Sequence, residues 1–236
     1  MTARLLICIP CHNRRVIVRE CLPTVFQSKG PQDVVRCYND GSFMYDADWL
    51  RQLGADWAMD CVQLGIEGQR RLHFTDFGQM MDEFTHLYLC DSDSPHDPAW
   101  RAHAMHLQEI SGGAPVCLYN TDAHVRLVGN TFEDDPAKPY VLRRVAPGVS
   151  YLLTRKHVER ILPFVITLQH WDWQVPALLG HKMCVSRVSY CGHVGFAGIH
   201  HGHAPIDGGD VPLAPTEFVE RKQKEIVEIL KQHEHR

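Results

Sequence analysis

The heptapeptide Leu87-Tyr88-Leu89-Cys90-Asp91-Ser92-Asp93 is an apolar run that stops at two carboxylates one residue apart. A short continuous apolar stretch with an abrupt polar end reads as a strand buried on both faces, as in parallel sheets. The polar end carries the interest, because open α/β sheets bind ligands at the carboxyl ends of their strands. On a turn leaving a strand, Asp-x-Asp can present both carboxylates to one hard divalent cation, and that cation can neutralise a diphosphate. The same residues also suit an ordinary turn rich in Asp and Ser. Neighbouring strand ends decide between the two.

Two upstream segments end in the same manner. Val35-Arg36-Cys37-Tyr38 runs into Asn39-Asp40-Gly41-Ser42, and Ile7-Cys8-Ile9-Pro10 runs into Cys11-His12-Asn13-Arg14. Three strand termini with ligand-type residues point to one site along the carboxyl edge of a sheet. The alternation predicts strands over 5–9, 34–38, 57–64 and 87–90, with helices over 16–27, 46–53 and 69–84 between them. Beyond Asp93 it predicts a helix over 98–110 and a strand over 116–119. Residues 122–147, with three prolines and Glu133-Asp134-Asp135, read as an irregular excursion. A strand over 149–153, helices over 155–162 and 171–179 and a strand over 183–190 complete the core. Residues 192–215 show no period and read as a long loop. Val219, Ile226, Ile229 and Leu230 then share one face of a closing helix that starts at 216. The expected fold class is α/β, a single Rossmann-type domain with a mostly parallel central sheet flanked by helices.

Composition agrees with one globular domain. The chain has 236 residues, 44% hydrophobic and 22% charged, which excludes disordered and collagen-like classes. With 24 basic against 28 acidic residues the formal charge is −4, so no global basic field exists to hold a polyanion. No run approaches the roughly 18 apolar residues of a membrane span, and the protein is read as cytoplasmic. Nine cysteines, an odd number scattered through apolar runs, read as reduced core thiols.

Ile9-Pro10-Cys11-His12-Asn13-Arg14, then Asn39-Asp40-Gly41-Ser42, then a strand ending Asp91-Ser92-Asp93-Ser94 resembles the nucleotide-binding half of GT-A-fold glycosyltransferases. The likeness is to the large inverting group that includes cellulose-synthase-like and bacterial sugar transferases. It implies that Pro10, His12, Asn13 and Arg14 line the nucleotide pocket and that Asp40 binds the base. Asp91, with Ser92, would lie near the ribose, and Asp93 would hold Mn²⁺ or Mg²⁺ with help from Asp91. The family often places an arginine facing the diphosphate ahead of the metal strand, where this chain reads Phe74-Thr75-Asp76-Phe77-Gly78; Arg70 and Arg71, a turn earlier, are the candidate substitutes.

Further along, Gly148-Val149-Ser150-Tyr151 resembles the small-residue loop beside the donor sugar, with Gly148 admitting the sugar to the backbone. His170-Trp171-Asp172-Trp173 resembles the acidic motif that supplies the catalytic base, here Asp172, with Trp171 and Trp173 beside the acceptor; a helix cap is the plainer role for the same aspartate. Cys191-Gly192-His193 resembles the strand that ends in a metal-binding histidine. His200, His201 and His203 compete for that role, and they fall in a segment, 200–215, expected to form a lid. The resemblance divides the chain into a nucleotide half (1–94), an acceptor half (95–199), the lid and a final helix (216–236). It implies metal-dependent transfer of a sugar, with inversion, from a nucleoside-diphosphate donor, most simply a UDP-sugar, to a hydroxyl acceptor of unknown class. Two alternatives remain. A sugar nucleotidyltransferase shares the nucleotide and metal needs, but would carry a Gly-rich basic loop after the first strand. A zinc-dependent binding module would use Cys8-x-x-Cys11 with His181, Cys184, Cys191 and His193.

Overall fold

In the computed structural model, which describes residues 3–194 and 212–234, the predicted alternation forms a central sheet of nine strands among the described residues. Its N-terminal part is built from β1 (Leu5–Cys11), α1 (Arg15–Phe26), β2 (Val34–Asp40), α2 (Ala47–Gln52), β3 (Trp57–Cys61), α3 (Gly65–Gln79) and β4 (His86–Cys90). β3, β2, β1 and β4 lie side by side and parallel. β1 and β4, in the middle of the sheet, are near-continuous apolar runs buried along almost their whole length, as strands covered on both faces are. Pro10 is tolerated in the central strand β1 since pairing with β4 ends at Cys8.

The second half adds α4 (Trp100–Ile110), β5 (Val116–Cys117), α5 (Asp122–Arg126), β6 (Thr131–Glu133), β7 (Tyr140–Arg143), β8 (Ser150–Thr154), α6 (Arg155–Ile161), a 3-10 turn (Leu162–Thr167), α7 (Trp171–Leu178), β9 (Met183–Ser186) and α8 (Glu217–Glu234). The sheet order is β3-β2-β1-β4-β8-β5-β9-β7-β6, with β8 antiparallel to both neighbours and β7 antiparallel to β9 and β6. The sheet is therefore parallel in its first half and mixed in its second.

Four expectations need correcting. α3 starts four residues early and ends at Gln79, because the Asp40 carboxylate accepts from the Leu64 and Gly65 amides and caps the helix from β2. β5 and β9 are shorter than the expected 116–119 and 183–190. Residues 122–147 are not all irregular: β7 is buried along its whole length against β9. The strand expected over 57–64 ends at Cys61.

The main core lies on both faces of the sheet. A smaller cluster joins Ile17 and Cys21 of α1 to Val194 and to Ile226 of α8. No helix among the described residues is long and apolar enough to cross a membrane.

Candidate active site

β2 and β4 flank β1 on opposite sides, so the crevice between β1 and β4 is the switch point of the parallel half, where such sheets bind ligands. Arg14 leaves β1 and Asp93 leaves β4, and they meet across that crevice with Arg14 Nη1 2.7 Å from Asp93 Oδ2. The chain reaches this contact through two successive left-handed residues, Asn13 (φ 49°) and Arg14 (φ 50°). Asparagine tolerates this conformation, but for arginine it costs about 1–2 kcal/mol, so the neighbours must hold the turn. Asn13 Oδ1 accepts from Ser42 Oγ (3.1 Å) and from the Phe43 amide (3.2 Å). His12 Nδ1 donates to the Asp40 carbonyl (2.7 Å), leaving Nε2 to accept from the Asn13 amide group (2.9 Å).

Asp91 is paired with a different arginine. Arg70 Nη2 lies 2.5 Å from Asp91 Oδ1, and the Arg70 side chain is fully buried, stacked 4.5 Å over the Trp171 ring. Arg70 thus faces the strand-end carboxylates rather than solvent. Arg71 is turned to other use: Nε and Nη2 both donate to the Leu168 carbonyl (3.0 and 2.7 Å), tying α3 to the chain ahead of α7.

The third member arrives from 100 residues away. Residues 190–194 run antiparallel to 93–97, through Asp97 N to Tyr190 O (2.8 Å), Gly192 N to Pro95 O (2.8 Å) and Val194 N to Asp93 O (3.0 Å). This pairing puts His193 Nε2 3.4 Å from Asp93 Oδ2. Candidate ligand atoms of Asp91, Asp93 and His193 all lie within 4.8 Å of one another, the one such metal-capable group among the described residues. Two carboxylates and an imidazole are a donor set that fits Mn²⁺, and Mg²⁺ less closely. Burial pushes the Asp91 carboxyl up against the pull of Arg70. For Asp93 burial acts in the same direction, but His193 and Arg14 outweigh it and hold the group well below the usual carboxylate range.

The cysteines belong elsewhere. All nine are free; Cys8 Sγ lies 3.7 Å from the Tyr38 hydroxyl, and the Cys11 thiol donates to the Ile9 carbonyl (3.7 Å). No cysteine joins a metal-capable group among the described residues, so the zinc alternative loses its ligands.

α7 carries Asp172 next to Trp171, the ring on which Arg70 stacks. Its start is set by His170 in a left-handed conformation (φ 44°). The Tyr151 hydroxyl lies 2.6 Å from the Ala146 carbonyl and 3.2 Å from that of Asp172. Asp172 is half-buried, and burial raises its carboxyl. Gly148 sits against this turn: a Cβ there would lie 2.7 Å from Trp171 Cζ2 and 3.1 Å from Asp172 Cβ. Its small size therefore has a packing cause beside any role toward a sugar. Trp171, expected to face an acceptor, is instead 4% exposed, lying between Arg70 and Tyr151; Trp173, 51% exposed, is the open indole.

Asp40 lies at its expected strand end, but its carboxylate is buried and accepts from Leu64 N, Gly65 N and Gln69 Nε2 at 2.6, 2.9 and 2.8 Å. Pro10, one residue before the end of β1, is half-buried, and Ser92 is buried between the two aspartates. Phe43, Val62 and Leu64, exposed apolar residues in the loops after β2 and β3, escaped the sequence reading; their signal was apolar character just past a strand end. His200, His201 and His203 lie outside the described residues. The end of the expected lid is tied down: Leu213 N donates to Asn120 O (2.7 Å) and Ser189 N to Ala214 O (3.0 Å).

No protein-family model matches the sequence, and no curated protein matches it. Solved structures do resemble it. A structure of S. aureus TarS residues 1–349 superposes with a TM-score of 0.54 at 11% identity, covering 80% of this chain and 59% of that one. The same fragment in complex with UDP-GlcNAc gives 0.55 at 12%, covering 80% and 57%. A longer TarS structure gives 0.56 at 13%, covering 80% and 36%. This chain thus spans less than three-fifths of the TarS structures it matches. At these identities the likeness is one of architecture, and the chain is built on the fold of a GT-A-type glycosyltransferase.

Proposed function

We propose that the protein transfers a sugar from a nucleoside-diphosphate donor, a UDP-sugar, to a hydroxyl acceptor, with inversion at the anomeric carbon. The observation that carries this reading is the meeting of Asp91, Asp93 and His193 at the sheet's switch point, with two guanidiniums beside them. The TarS structures with UDP-GlcNAc and UDP support the choice of donor.

In this reading Pro10, His12, Asn13 and Arg14 line the nucleotide, with residues 1–94 as the donor half and 95–199 as the acceptor half. Phe43, Val62 and Leu64 offer apolar contact to the base. Asp40, whose carboxylate already holds the start of α3, acts by positioning that loop. Asp91, Asp93 and His193 would hold Mn²⁺ or Mg²⁺, whose chemistry when bound is Lewis-acid stabilisation of the leaving diphosphate. Asp172 takes the proton of the acceptor hydroxyl, and its raised carboxyl makes it a stronger base than a solvated aspartate. Trp173 offers an open aromatic face beside that carboxylate for an acceptor ring. Attack from the acceptor side in one displacement inverts the anomeric centre.

The test is a panel of nucleotide sugars incubated with the protein and Mn²⁺, with release of the nucleoside diphosphate read by chromatography. One UDP-sugar should turn over, and chelation should stop it. Absence of both turnover and binding across the panel would remove the reading.

A further inference from the structure

We propose that Arg14 is a resident counter-ion of Asp93 that an arriving divalent cation displaces, and that the freed guanidinium then binds the donor diphosphate. The inference rests on the metal reading above and concerns how that site is loaded.

The two arginines at the site differ in their freedom. Arg70 has no exposed side-chain surface, pairs with Asp91 and is stacked on Trp171, so it has nowhere to go. Arg14 is 29% exposed at its side chain and reaches Asp93, itself 4% exposed, through Nη1 alone. Asp93 Oδ2, the oxygen that Arg14 holds at 2.7 Å, also lies 3.4 Å from His193 Nε2. A cation shared by Asp91, Asp93 and His193 has to compete with Arg14 for Asp93.

Charge sets the order of events. With the His193 imidazole neutral, as a metal ligand has to be, Asp91 and Asp93 are balanced by Arg14 and Arg70 and the site carries no net charge. A divalent cation added with Arg14 still in place would leave two uncompensated positive charges in a largely buried crevice, which is unfavourable. A diphosphate removes that excess and gives the displaced guanidinium a bidentate partner. Cation and nucleotide therefore favour each other's binding, and linkage makes the effect reciprocal. The backbone need not move. Asn13, pinned by Ser42 and Phe43, fixes where Arg14 begins, so the exchange is a swing of one partly exposed side chain.

The prediction has opposite signs for the two ligands. Arg14→Asn removes the competitor and keeps a residue type that accepts a left-handed backbone; Arg14→Gly is the second variant should the first fail to fold. Calorimetry and Mn²⁺ electron paramagnetic resonance on the intact protein should show Mn²⁺ alone binding on the order of tenfold tighter than in wild type. UDP at saturating Mn²⁺ should bind on the order of tenfold more weakly. Mn²⁺ binding that is equal or weaker in the folded variants, while the wild type binds Mn²⁺ through Asp93, overturns the exchange and leaves the metal site standing. A wild type that binds no Mn²⁺ with or without UDP removes the metal site, and the exchange with it.

Discussion

Asp172 shows how much a single position owes to its surroundings. The sequence places it at a helix start, where an aspartate is a good cap, yet the neighbouring contacts fit a base: Tyr151 holds its carbonyl, Gly148 admits its turn, and burial raises its carboxyl. A base works in its ionised form, so activity should rise with pH through that raised value, placing the acid limb of the rate profile above the ordinary 3.8. Asp172→Asn should lower turnover by about 10²- to 10⁴-fold with UDP affinity unchanged. Single-turnover rates beside calorimetry check this, and a variant within twofold of wild type would make Asp172 a cap. Gly148→Ala probes the same turn. A methyl 2.7 Å from the Trp171 ring has to displace the indole or the loop, and overpacking of this kind costs about 1–3 kcal/mol. Urea unfolding measures it; an unchanged midpoint would show that the turn relaxes freely.

Elements were legible in the sequence where one local signal decided them. β1, β2 and β4 are short apolar runs that stop at polar residues, and the aspartates of the metal-capable group follow directly from the last of these. α3 was misplaced because its cap, Asp40, lies 24 and 25 residues before the amides it receives. β7 was hidden because four residues between prolines and acidic side chains have no period to read; its register comes from β9. The hold on His193 was equally invisible. α8 packs on α1 through Ile17, Cys21 and Ile226, Lys222 pairs with Glu20 at 3.2 Å, and Gln223 Nε2 donates to the His193 carbonyl at 3.1 Å. Gly192 allows this approach, since a Cβ there would lie 2.7 Å from Gln223 Cδ. Gln223→Ala should therefore weaken Mn²⁺ binding several-fold, by less than about 1.5 kcal/mol for one neutral hydrogen bond, while the urea midpoint moves little. Unchanged Mn²⁺ affinity would limit α8 to packing.

At the scale of the whole molecule, three histidines tie stability to pH. His96, His103 and His157 are each pushed down to about 4 by burial, from an ordinary 6.5. Between those values the unfolded chain binds protons that the folded chain refuses. Their contribution is complete above 6.5, falls as pH drops toward 4 and is level below it. For a buried histidine such as His96 the slope approaches about 1.4 kcal/mol per pH unit. Urea midpoints from pH 7 to 5 should fall, and His96→Gln should flatten part of that fall; parallel slopes for the two proteins would contradict it. The sheet itself explains why a site was readable from strand ends at all: four parallel strands bring their carboxyl ends to one edge, so residues 14, 40, 91 and 93 share a neighbourhood that sequence distance conceals. The central claim is that this edge holds a divalent cation and a nucleoside diphosphate together through Asp93. Calorimetric titration of UDP into wild type and Asp93→Asn, with and without Mn²⁺, tests it most directly. The account predicts that Mn²⁺ tightens UDP binding to the wild type at least tenfold and does nothing for Asp93→Asn; equal UDP affinity in all four titrations would contradict it.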